Sequence, residues 1–371
     1  MLKSYQLRNY NFKLFILLMI ISGFGLLMIN SANSSFTSKQ LLGIGICTIM
    51  LIIVSLIDYN VLCKFWWLLY GAIVVALALV LVVGIEVNGA KRWFKIPGFG
   101  TLQPSEFAKI VLIISVAIFL EKHKDDLNTF KTLMKFAILC GIPIGLVAVE
   151  TDLSTSIDMM VIMLAMIFVA GLSYKIIITA IAILVPAICG LLFYVDTAKN
   201  PIIIKDYQVD RIKAFLHPSE YTVSTSYQQD NSVMAIGSGM LHGKGLNNNS
   251  AIATVKDAKL VSEQQTDFIF SVVGEELGFI GCVFLIAILL LIMLQCIKIA
   301  RKARNDSGML IATGVASMIC FQSFINIGVA TKLLPNTGLP LPFVSYGLSS
   351  LMSGMLGMGI VLNVGLQKRK Y

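Results

Sequence analysis

Polar positions divide this chain into a series of long apolar runs, and the spacing of the breaks predicts helices that cross a membrane. The first run, 14–29, follows Lys3, Arg8 and Lys13 and precedes Ser31 and Ala32. That arrangement also suits a cleavable signal, but the run is long for a signal core and further spans follow at once, so an uncleaved first span is expected. Further runs occupy roughly 41–57, 65–85, 106–120, 133–149, 157–170, 176–195, 267–297, 309–328 and 349–366. Each suits a hydrocarbon core about 30 Å thick if some helices are short or tilted. The expected fold is an all-α polytopic membrane protein of about ten transmembrane helices. It forms a single domain over 1–371, with one long polar loop, 196–265, inside it.

Two interruptions stand apart. Residues 88–109, NGAKRWFKIPGFGTLQPSEFAK, carry Gly and Pro punctuation and read as an outward loop leading into a helix at Pro104. In 336–351, NTGLPLPFVSYGLSSL, Pro340 and Pro342 forbid a regular helix. That stretch reads as a re-entrant segment covered by protein, or else as a simple outer loop.

Charge then sets the orientation. With the amino end inside, the cytoplasmic loops hold Lys64, the group Lys122, Lys124, Lys131 and Lys135, then Lys175, then Lys298, Arg301, Lys302 and Arg304, and finally Lys368, Arg369 and Lys370. The short outward loops hold only Lys39, Lys91, Arg92, Lys95 and Lys332. Both termini are therefore expected in the cytoplasm and 196–265 outside it. Composition agrees: 57% of residues are hydrophobic, 13% are charged and the mean hydropathy is +0.84, far from a soluble balance. In this setting a net charge of +9 points to cytoplasmic loops and anionic membrane lipid, not to nucleic acid. The cysteines lie in or beside apolar segments without a CxxC pair, so buried thiols acting as small hydrophobes are expected instead of zinc or disulfides.

Candidate chemistry gathers where acids meet membrane depth. Residues 263–281, EQQTDFIFSVVGEELGFIG, turn from polar to apolar and bring Asp267, Glu275 and Glu276 with them at the start of a span. Ionisable groups at that depth usually face a bundle interior or a water-filled cavity, which makes a working site the default reading. Asp267 also suits a helix cap, and a cap can serve as a reagent. Glu106 and Lys109 share one helix face and can neutralise each other, in a site or in packing. Arg92 beside Trp93 offers a cation and an amphipathic ring at headgroup depth, which equally fits an interfacial anchor. Glu150, Asp152 and Asp158 fall near the outer surface in VAVETDLSTSID, where helix solvation is expected for Asp158. The long loop supplies Arg211, Lys213, His217, Tyr227 and Gln228. It ends in AIGSGMLHGKG, whose glycines would let backbone amides approach an anion beside Lys244, although Walker A order is missing.

In order, and over nearly the whole chain, these stretches resemble the motifs of the SEDS family (shape, elongation, division and sporulation), the polytopic peptidoglycan polymerases typified by RodA and FtsW. TDFIFSVVGEELGFIG is similar to the family signature, and RW ahead of QPSEFAK, YQ ahead of AIGSGMLHGKG, and SYGLSS are similar to further motifs. The chain departs from the pattern at Thr151, where a proline is usual, and at Ser154, Met240 and Leu348, where glycines are. The first span and LPNTGLPLPFVSYG look RodA-like. The resemblance implies a peptidoglycan glycosyltransferase of the bacterial cell membrane, with an outward-facing site, that polymerises Lipid II. A sugar hydroxyl of one disaccharide-pentapeptide lipid attacks the anomeric carbon of another, and undecaprenyl pyrophosphate leaves. It also implies a class B penicillin-binding protein, a single-span transpeptidase, as partner. On this resemblance Asp267 is the catalytic base, and Asp152 takes the family aspartate's place. Arg92, Trp93, Glu106, Lys109, Asp152, Arg211, Lys244, Glu275 and Ser345 would bind substrate. No organic cofactor is implied, and Mg or Mn is a candidate helper at the pyrophosphate. Intramembrane charges with broken helices also fit a Lipid II flippase or another transporter of lipid-linked substrate, and a noncatalytic scaffold is a third class.

Overall fold

A computed structural model describes residues 9–87, 90–96, 100–197, 209, 213, 225–246 and 263–367. Its helices are α1 (Phe12–Ala32), α2 (Thr37–Leu56), α3 (Tyr59–Lys64), α4 (Trp66–Val83), α5 (Pro104–Lys122), α6 (Phe130–Val149), α7 (Leu153–Val169) and α8 (Tyr174–Thr197). After the long loop come α9 (Thr225–Ser238), α10 (Ile269–Arg301), α11 (Asp306–Ala330) and α12 (Leu348–Leu366). Among the described residues, eight helices are long and apolar enough to cross a membrane, and α7 is a shorter apolar one. Helix α5 carries Glu106 and Lys109 on an otherwise largely apolar, buried run. With α5 and α7 added, a helix stands at every expected run, and the protein is an all-α, multi-pass membrane bundle.

Local chemistry explains several helix ends. Asn11 accepts from the Leu14 N–H at 3.1 Å and caps α1. Pro104 opens α5, where its missing N–H costs nothing. The interior is assembled on α10, α11 and α12: α1 and α11 pack on α10, α12 packs on α2, and α5 and α7 pack on α11. Small residues set these distances, as is usual between membrane helices. A Cβ at Gly357 would stand 2.9 Å from Ile110 Cδ1, and one at Gly359 would stand 3.0 Å from the Leu51 carbonyl.

Three features differ from the sequence reading. The stretch read as an outward loop does lead into a helix at Pro104, but it carries an antiparallel sheet in the order β1 (Ile85–Val87), β2 (Ala90–Ile96), β3 (Gly100–Leu102) that the sequence reading did not include. Its register sets Ile85 against Trp93 and Phe94 against Leu102, and strand pairing meets backbone needs that a loop would leave to water. The run 267–297 is not one continuous span, because α10 breaks at Gly278, where φ is 64° and ψ is −160°. Only glycine tolerates that backbone, so 269–277 is a separate, buried segment that ends before the membrane-crossing part. Finally, not every cysteine is a buried hydrophobe: Cys63 and Cys320 are partly covered, and Cys189 is exposed on α8.

Residues 334–347, between α11 and α12, are non-helical yet bury Leu339, Leu341, Phe343, Val344 and Ser345. Protein groups satisfy this backbone, as a covered re-entrant segment requires. Gln229 donates to the Leu334 carbonyl at 2.8 Å, and Ser154 donates to that of Thr337. Helix α1 touches the same segment so closely that a Cβ at Gly25 would lie 2.7 Å from Val344 Cα.

Candidate active site

Asp267 sits in a turn over 263–268, just ahead of α10, and is half-buried. Helix α10 begins only at Ile269, with Phe268 at its cap position, so Asp267 precedes the cap instead of occupying it. Three groups hold the turn from below. Asn326 on α11 donates to the Asp267 carbonyl at 2.7 Å, Ser345 donates to the Thr266 carbonyl at 2.5 Å, and the Tyr346 N–H donates to the Gln265 carbonyl at 2.8 Å. Ser345 also accepts from the Leu341 N–H at 2.8 Å and is buried, so it supports the turn from within.

Across the 334–347 segment lies a second polar group. Asp152 caps α7, accepting from the Thr155 N–H at 3.1 Å, while its other oxygen accepts from Gln103 at 2.9 Å. Arg92 on β2 stands 3.9 Å from Asp152 and 5.9 Å above the Trp93 ring. It also donates to the carbonyls of Glu150, at 3.3 Å, and Thr151, at 2.9 Å. A cation is favoured there, where the last carbonyls of α6 lack helical partners. Thr151 takes φ 64°, a value no proline can adopt, so this turn is built differently from one carrying the family's usual proline. The Glu150 carboxylate is buried without a hydrogen bond. Burial, with the charge of Asp152 beside it, pushes its pKa up to about 8 against the pull of Arg92.

Glu106 and Lys109 pair at 3.0 Å, as their spacing predicts, and Ser353 donates to the second Glu106 oxygen at 3.0 Å. The pair is not open to substrate in this structure, since Glu106 is 3% exposed and Lys109 0%. Asp158, expected to be solvated, is instead fully buried on α7 and stands 3.9 Å from Lys109. The result is an enclosed triad of two carboxylates and one ammonium, within electrostatic reach of Asp152.

On the other flank, Lys244 pairs with buried Glu275 at 2.8 Å, and Ser31 of α1 donates to Glu276. The glycine run does not present free amides to an anion. The N–H groups of Lys244 and Gly245 donate to the carbonyls of Glu275 and Glu276, each at 3.0 Å. Its glycines permit two backbones to touch: a Cβ at Gly243 would stand 2.1 Å from the Glu276 carbonyl, and one at Gly278 would stand 2.4 Å from Gly243 N. Arg211 and His217 lie outside the described residues. Among those described, no group of three or more His, Cys, Asp or Glu converges to hold a metal. Sequence reasoning missed Asn326, although an amide in the apolar stretch FQSFINIGVA, with Gln322 one turn before it, was a usable signal.

This architecture defines a polytopic membrane protein with an enzyme-like site where its loops meet one end of the bundle, built on a broken helix and a buried re-entrant segment. Residues 7–370 match the cell cycle protein family FtsW/RodA/SpoVE, and the chain belongs to that family. It is 32% identical to the probable peptidoglycan glycosyltransferase FtsW of Geobacter sp. (strain M18), across 98% of this chain and 99% of the relative. It is 31% identical to the FtsW of Bacillus subtilis (strain 168), also named a probable peptidoglycan glycosyltransferase, across 99% and 93%. Among solved structures it is similar to a chain of a peptidoglycan synthase complex described as coordinating polymerization and crosslinking, with TM-score 0.80 and 27% identity over 96% of this chain and 97% of that one. The rod shape determining protein RodA of Thermus thermophilus is similar with TM-score 0.70 and 27% identity, covering 98% of each chain.

Proposed function

We propose that this protein, a peptidoglycan glycosyltransferase of cell-wall synthesis, polymerises Lipid II with Asp267 as general base. One observation carries the reading: in a chain of this family, the carboxylate-bearing turn is anchored by both α11 and the re-entrant segment at the loop end of the bundle. Asp267 accepts the proton of the acceptor hydroxyl as its oxygen bonds to the anomeric carbon, and the bond from that carbon to the pyrophosphate breaks. An α-linked donor gives a β-linked product by one inverting displacement, so no covalent enzyme intermediate is needed. The departing charge calls for cations. Arg92 and Lys244 retain partial exposure, with side chains 25% and 20% accessible, whereas Lys109 is enclosed between two carboxylates and does not reach the substrate. Arg211 completes the candidate set. A Mg²⁺ or Mn²⁺ ion arriving with the pyrophosphate would supply further charge neutralisation there, although among the described residues no group of three or more His, Cys, Asp or Glu converges to hold one.

The lysine and arginine distribution supports cytoplasmic termini and an outward-facing site in the bacterial membrane. Family membership and the similarity to a peptidoglycan synthase complex support a class B penicillin-binding protein as partner. The rival reading, a Lipid II flippase, draws on the same buried charges and broken helix. Labelled Lipid II added to the purified protein in detergent separates the two, because no membrane remains to be crossed. Glycan chains are the expected product; transport in vesicles without any chains in detergent would favour the flippase.

A further inference from the structure

Asn326 is 1% exposed in α11, and its amide nitrogen is spent on two backbone carbonyls. Asp267 O and Leu339 O each accept at 2.7 Å. Both N–H groups sit on one terminal nitrogen, a geometry available only to Asn and Gln among uncharged side chains. The two acceptors belong to different segments, the turn that carries Asp267 and the re-entrant stretch. Immediately before Leu339, Gly338 adopts φ +74°, and a Cβ there would lie 3.3 Å from Asp267 Oδ2. The Asp267 carboxylate therefore rests on the corner that Asn326 holds. Burying an amide in an apolar helix is costly, and Asn326 Oδ1 has no hydrogen bond to offset it. Packing alone would be served better by leucine.

We propose that Asn326 is a positioning residue for Asp267, clamping the turn that bears the carboxylate to the corner at Gly338 and Leu339. This rests on reading Asp267 as the base. The clamp fixes the height of the carboxylate above the re-entrant segment, and misplacing a catalytic group by about 1 Å can cost about 10²-fold.

The test uses the full-length protein in detergent with labelled Lipid II. Asn326→Ala is expected to lower kcat by about 10–100-fold with KM near the parent value. The acidic limb of its kcat–pH profile should shift, because the surroundings of the base change. Asn326→Gln, which keeps both N–H groups, should recover part of the loss. Gly338→Ala leaves Asn326 intact but pushes a methyl toward the carboxylate, and should reproduce both the kcat loss and the shifted limb; with Asn326→Gln it decides the matter if Asn326→Ala does not fold. Folded variants that keep kcat and the pH profile within about threefold of the parent, beside an inactive Asp267→Ala, overturn the clamp and leave the base in place. A kcat loss with an unmoved pH profile and no recovery in Asn326→Gln also overturns it, as a merely structural effect. An active Asp267→Ala instead overturns the base, and the clamp with it.

Discussion

At the residue scale, the enclosed charges make the sharpest demands. Lys109 lies between Glu106 and Asp158 with no access to water, so each carboxylate depends on the one ammonium. Removing one partner of a buried ion pair typically costs about 3–5 kcal/mol, because the other charge is stranded. Lys109→Met should therefore lower the melting temperature in detergent sharply, and adding Asp158→Asn should restore part of it. If the double variant melts no higher than the single one, Asp158 is not part of the charge balance. Glu150 sets a pH dependence. Its carboxyl is raised to about 8, so the folded chain retains a proton that the unfolded chain loses at ordinary carboxylate pH. The stability this contributes is full below the ordinary carboxylate value and is lost as pH rises toward about 8. The parent should lose melting temperature between about pH 5 and about pH 8 more steeply than Glu150→Gln, whereas parallel curves would show that folding does not raise this group.

At the scale of elements, the long loop docks on α10 by backbone contact at glycines. Gly278→Ala would place a methyl in a left-handed conformation, at a cost of about 1–3 kcal/mol. It would also drive that methyl into the Gly243 amide. Gly237, in the same run, has nothing within 4 Å of its Cβ direction. Gly278→Ala and Gly243→Ala should lower stability and polymerisation together, with Gly237→Ala close to the parent; equal effects at all three would refute docking. These elements also show how far the sequence could be read. The helices were legible because their apolar runs are long, and the Glu106 and Lys109 pair because its partners are three residues apart. Asp158 was not, since its partner comes from α5 while it lies on α7. The glycine run was misread for the same reason: what it needs close by is the backbone of α10, which local sequence does not reveal. Strands of three residues, such as β1 and β3, carry too little alternation to stand out among Gly and Pro.

At the scale of the whole molecule, the described bundle presents wide apolar faces for lipid and concentrates its polar residues at the ends and in the interior. A single-span transpeptidase is expected to bind those faces, and co-purification from the native membrane checks this. Polymerisation at full rate without any associated penicillin-binding protein would count against the partnership. The central claim, that Asp267 drives glycan polymerisation, is tested most directly by comparing the purified parent with Asp267→Ala on labelled Lipid II, with both proteins shown to be folded by their melting profiles. General-base catalysis contributes about 10²–10⁴-fold, so the variant should bind substrate yet form almost no glycan chains. Chains formed by folded Asp267→Ala within a few-fold of the parent rate would contradict the assignment and move it to Glu275 or Asp152.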